Sequence, residues 1–215
     1  MEKAAQHFWL WFIDHHTKLK NLQELKPKEQ KHYIFWLEWH LHFYTSGLDY
    51  ILIFPKQNRK KVQLIITANG NPEYFLKVEN VIKLAPQLKD WKFTAFVQPT
   101  KAIEDMEAGL DKPYVFKDIN LKASELKFMP FEYESTKKID MTVYLKNFTV
   151  NCNNKNLIQV IFIIMQDIIG EKSLYENINF VELAQMPDND IELIYLYDLQ
   201  YYIDDINNLF KIQPI

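Results

Sequence analysis

Glycine is scarce in this chain, with Gly47, Gly70, Gly109 and Gly170 the only four among 215 residues. A loop that wraps phosphates with backbone amides needs several glycines within a few residues, so the P-loop and the dinucleotide fingerprint are both excluded. The strand-to-helix nucleophile elbow, Gly-x-Ser-x-Gly, is missing for the same reason. Cysteine is scarcer still. Cys152 alone rules out an intrachain disulfide and any zinc knuckle built on cysteine pairs. It sits among Asn151, Asn153 and Asn154, none of which would lower a thiol pKa towards catalytic use.

Arginine is nearly absent too, Arg59 being the single example among 25 basic residues. Sequence-specific DNA readers and phosphate clamps rely on the guanidinium fork, so no nucleic-acid partner is expected. Lys56, Arg59, Lys60 and Lys61 form a basic cluster, but at an expected hairpin turn, where solvated charge is the simpler reading. Long apolar runs are lacking as well. The longest, Val160 to Met165, is far short of the roughly 20 residues a membrane span requires, and no membrane association is expected. The run Phe8 to Ile13 lacks a basic flank and a cleavage site, so it does not read as a signal peptide. The expected location is cytoplasmic, which leaves the Asn147-Phe148-Thr149 sequon without a role.

What remains is rich in core-forming residues: 48% hydrophobic and 25% charged, with a net charge of −3, the composition of a folded protein. Phe8, Phe12, His15, Leu19 and Leu22 follow helical spacing, and Pro27 separates them from a second apolar stripe of His32, Phe35, Trp36, Trp39 and Phe43. From Asp49 the period becomes two. Tyr50–Phe54 and Val62–Thr67 read as a strand hairpin, Asn71-Pro72-Glu73 as the cap of a helix over Phe75–Ala85, and Trp91–Val97 as a strand parallel to the second. Tyr114–Phe116 reads as an edge strand. The pattern then recurs as strands Leu126–Tyr133 and Ile139–Leu145, a buried helix Leu157–Ile169 stopped by Gly170, and a strand Ile178–Ala184. A helix over Leu196–Leu209 closes the chain.

The expected fold class is α+β: an N-terminal helical hairpin packed on an antiparallel-rich sheet from two ββαβ units, with a C-terminal helix. The similar strand endings, Phe96-Val97-Gln98-Pro99 and Leu183-Ala184-Gln185-Met186-Pro187, suggest an internal duplication. The expected organisation is a hairpin over 1–45, a first ββαβ unit over 46–100, and a linker, second unit and terminal helix over 101–215, all within one compact domain. The segments Ala68-Asn69-Gly70, Ala85-Pro86 and Trp91–Pro99 resemble a family of uncharacterised bacterial proteins. The resemblance covers the middle of the chain and implies a bacterial protein of unknown function, with no particular chemistry.

Four constellations invite a functional reading. All six histidines fall within the first 42 residues, and two facing helices could bring His15 or His16 against Glu38 and His42 to hold a metal. No His-Glu-x-x-His motif accompanies them, so histidines flanking a tryptophan-rich packing face are the simpler account. Trp9 and Trp11, with Trp36 and Trp39, could form a partner surface, although core packing competes. Trp9 and Trp11 cannot both face inward on one helix, so at least one is expected to be exposed or to contact another element. Thr67, Asn69, Gln98 and Gln185 would gather at the C-terminal ends of parallel strands, where ligands often bind, unless they serve the turns instead. Finally, residues 173–215 hold eight acids, among them Asp188, Asp190 and Glu192, and a single lysine, a net −7 that leaves +4 on the remainder. That separation could steer a basic partner or be satisfied internally.

By subtraction, the expectation is a soluble non-catalytic binding or protein-interaction module without a cofactor. One form of it is an immunity-like protein that neutralises a basic toxin through the acidic C-terminal region. The alternative is a metal-dependent hydrolase using the histidine cluster.

Overall fold

A computed structural model describes residues 2–55, 61–99, 102–131, 138–148, 155–190 and 192–212. The basic residues 56, 59 and 60 and the segment around Cys152 lie outside the described residues. The architecture is α+β, and the chain divides into two compact units, Met1–Val97 and Gln98–Ile215. The helical hairpin and the first ββαβ segment together make the first unit, and everything after them makes the second.

The first unit opens with helix α1, Glu2–Lys20, which carries an acid in its first turn and lysines in its last, each opposing the helix dipole. Its face Ala5, Phe8, Phe12 and Leu19 is buried, as the spacing predicts, and Trp9 is buried beside it. Helix α2, Pro27–Tyr44, begins with proline in its first turn, where the missing N–H costs nothing. Strand β1, Asp49–Ile53, pairs antiparallel with β2, Val62–Thr67, which pairs in parallel with β3, Trp91–Ala95. The crossover is helix α3, Phe75–Lys83, entered through a turn in which the Asn71 side chain accepts the Glu73 N–H at 3.1 Å. Aromatic rings join α1 to the sheet: Trp9 meets Phe93 edge-on at 4.8 Å and Phe12 meets Trp91 at 4.8 Å. Lys20 pairs with Asp90 at 2.9 Å and fixes the end of α1 to the turn before β3.

Two expectations fail here. The strand expected to run to Val97 stops at Ala95 because Phe96 takes φ 61°, a conformation that leaves the pleat. Its N–H still donates to the Ile66 carbonyl at 2.8 Å, and its ring packs on Phe75. The second failure concerns α2. The row chosen as its packing stripe is largely on the outside: Phe35, Trp39 and Phe43 are exposed, while Leu37, His40 and Leu41 face inward. The helix is apolar on two sides, about 200° apart for residues two positions apart. Periodicity cannot say which row a neighbour will cover.

The second unit repeats the strand order. Strand β6, Lys127–Phe131, pairs antiparallel with β7, Ile139–Leu145, and β7 pairs in parallel with β8, Ile178–Gln185. The crossover is α5, Leu157–Ile169, which buries Leu157, Val160, Ile161, Ile164, Met165, Ile168 and Ile169. Gly170 ends it at φ 83°, a conformation that a side chain would resist. Before this sheet come the short helix α4, Ile103–Glu107, and a hairpin of β4, Tyr114–Phe116, with β5, Ile119–Leu121. Tyr114–Phe116 therefore lies in a separate two-stranded ribbon and not on the edge of the main sheet. Helix α6, Glu171–Asn177, links α5 to β8. Strand β9, Ile194–Tyr195, adds to the outer edge of β6, and α7, Leu199–Ile212, covers the core with Leu199 and Ile203. No helix among the described residues is long and apolar enough to cross a membrane.

Candidate functional site

The helical hairpin holds the densest chemistry. Trp11 of α1 lies between two imidazoles, stacked on His15 at 4.7 Å and on His40 of α2 at 4.7 Å. His7 reaches the same His40 ring at 5.1 Å. His40 is buried and its Nδ1 meets no partner. Burial, then the nearby His7 and His15, hold its pKa below the usual histidine value. Burial and the neighbouring imidazoles thus both disfavour the charged form of this ring.

The metal set proposed from sequence is not assembled. His15 Nδ1 donates to the Trp11 carbonyl at 2.8 Å, and His42 Nε2 donates to the Leu48 carbonyl at 3.1 Å; because carbonyls only accept, each of these nitrogens carries a proton, and only the opposite ring nitrogen of each could accept. His16 Nδ1 is buried without a partner, and Glu38 is exposed. Among the described residues, no group of three or more histidine, cysteine or acidic side chains is placed to hold a metal ion.

Three of the strand-end residues, Thr67, Asn69 and Gln185, bond to the chain near its turns. Thr67 Oγ1 accepts the Asn69 N–H at 2.9 Å, and Asn69 Nδ2 donates to Asp49 at 3.4 Å from a backbone at φ 48°. Gln185 Nε2 donates to the Lys146 carbonyl at 2.5 Å. Gln98 is exposed and begins the second unit. Thr67 and Asn69 do lie at one end of β2, but their polar groups satisfy the chain's own backbone and its Asp49.

Of the surface set, Trp9 must be withdrawn. It is only 3% exposed and its indole Nε1 donates to the Val81 carbonyl at 2.7 Å, which makes it a core residue with its polar atom satisfied. Trp11 is half-buried in its histidine stack. In the acidic segment, Asp190 is already engaged: Lys127 pairs with it at 2.7 Å, lies over the Tyr195 ring, and holds its carboxyl below the usual range. Asp188 and Glu192 are exposed.

The surface that sequence reasoning misplaced is the outer row of α2. Phe35, Trp39 and Phe43 are 56%, 44% and 57% exposed and recur every four residues. Trp39 stacks on Phe43 at 5.6 Å and meets Trp36 at 5.5 Å, so the rings form one continuous strip. Ile34 on the same helix is exposed too. The signal was present in the sequence, since Leu37 and Leu41 offered a second row of equal period.

Comparison with protein families, with characterised proteins and with solved structures finds no match to this chain.

Proposed function

We infer that this is a non-catalytic protein-interaction module whose contact surface is the aromatic strip of α2. One observation carries the reading: three large rings, spaced four apart on one helix, stand about half exposed in a protein with ample core of its own. Scattered exposed hydrophobics are ordinary, but a contiguous aromatic row is the composition of an interface centre. A helix presenting anchors at i, i+4 and i+8 suits an apolar groove on a partner protein. The engaged state of Asp190 moves weight away from the acidic segment as the principal contact.

The test is capture from native lysate at physiological salt, comparing the wild type with F35S/W39S/F43S and with D188N/E192Q. The expected result is a discrete partner retained by the wild type and by the acidic variant but lost by the aromatic one, with all three equally folded. Identical capture by all three proteins, or no partner for any of them, would overturn the reading.

A further inference from the structure

We propose that the helical hairpin is an acid-opened clasp: protonation at the His40 cluster loosens α2 from α1 and takes apart the aromatic strip, releasing its partner in mild acid. The release step rests on the strip being the contact surface, whereas the opening of the hairpin stands on its own geometry.

His40 is the joint between the two helices. Only 8% of it is exposed, and its Nδ1 is shielded from water without a hydrogen-bond partner. A neutral ring can leave that nitrogen unprotonated, but a charged ring carries an N–H on both nitrogens. Charging His40 in place therefore buries a donor with no acceptor, a cost that opening to water removes. The Trp11 face attracts a cation, but it lies flat against the ring, with 22° between the planes, and supplies no acceptor for an in-plane N–H.

Helix α1 adds to the cost. His7 lies 5.1 Å from the His40 ring, and His15 stacks on the same Trp11, so three imidazoles gather that repel one another once charged. No carboxylate forms an ion pair with His7, His15 or His40 among the described residues. Glu38 of α2 and Asp49 of β1 act on the Tyr50 phenol, and His16 of α1 acts on Asp90. Asp14 of α1 and Glu24 of the turn before α2 are exposed. The strip hangs on the same rings: Trp39 meets His40 edge-on at 4.8 Å, and Phe43 lies 5.4 Å from His7.

Hydrogen exchange of the full chain at pH 7.5 and pH 5.5, corrected for the intrinsic effect of pH on exchange, tests the clasp without a partner. Protection of α2 should fall about tenfold at pH 5.5, the factor by which a freed imidazole of ordinary pKa favours the open hairpin there. Strands β6, β7 and β8 should keep theirs. H40Q should remove the fall. H7Q/H15Q keeps His40 buried but takes away its repelling neighbours, so it should show a smaller fall, and it decides the matter if H40Q does not fold. Equal protection of α2 at both pH values, a fall shared equally by both units, or an undiminished fall in folded H40Q or in H7Q/H15Q would each overturn the clasp. Lysate capture as strong at pH 5.5 as at pH 7.5 would overturn the release step and leave the strip as contact surface. Capture at neither pH would overturn the strip, with exchange still judging the hairpin.

Discussion

Gly47 lies under the ring of Tyr74, so closely that a Cβ built there would fall 2.2 Å from the ring carbon Cζ. The constraint is space, because the neighbour is a side chain. Gly47→Ala should therefore lower stability by about 1–2 kcal/mol through overpacking. The penalty should largely vanish in a Tyr74→Ala background, a coupling that urea unfolding of the four proteins in the cycle measures. Trp9→Phe makes a complementary case. The ring contacts to Phe93 persist in kind, but the Val81 carbonyl loses its buried donor, and a cost of about 1–2 kcal/mol is expected in the same assay. Neither residue's role was legible in the sequence. Which tryptophan of the pair faced inward depended on where α3 placed a carbonyl, a fact of tertiary structure.

Among the elements, the helical hairpin contributes one pH-dependent group, His40. His40 has its pKa lowered in the folded state, so below the usual histidine value of about 6.5 the unfolded chain binds the extra proton more readily. The stability this group contributes is full above that value and is lost as pH falls through it towards the folded pKa. Urea midpoints at pH 7.5 and pH 5.5 should accordingly differ more for the wild type than for His40→Gln. An equal drop in both proteins would place the dependence elsewhere. Helix α5 carries the core of its unit, and Ile161→Ala there should cost about 2–5 kcal/mol in thermal or urea unfolding. Its limits were legible because apolar residues run between Asn156 and Gly170 without a competing pattern. The ends of β2 and β7 were legible for a similar reason, each being a short run bounded by turn residues. The elements that were not read, α4, β5, α6 and β9, are two to seven residues long, too short for a period to declare itself. One side chain of α5 did leave a trace: Asp167 is the only charged residue in that helix, and its carboxylate accepts a hydrogen bond from the Tyr114 hydroxyl.

At the scale of the whole molecule, the strand order of an antiparallel pair followed by a parallel crossover occurs once in each compact unit. Each unit has its own buried residues and its own helix over the sheet, so residues 1–97 and 98–215, expressed separately, should each unfold in a cooperative transition. A fragment without such a transition in urea, followed by far-ultraviolet circular dichroism, would show that its core needs the other half. The repeat of topology was legible from the alternation of periods.

All five tryptophans, Trp9, Trp11, Trp36, Trp39 and Trp91, fall in the first unit, and the second has none. Indole emission is therefore a built-in optical label for one half of the chain. A partner settling on Trp39 should blue-shift that emission and shield it from iodide quenching.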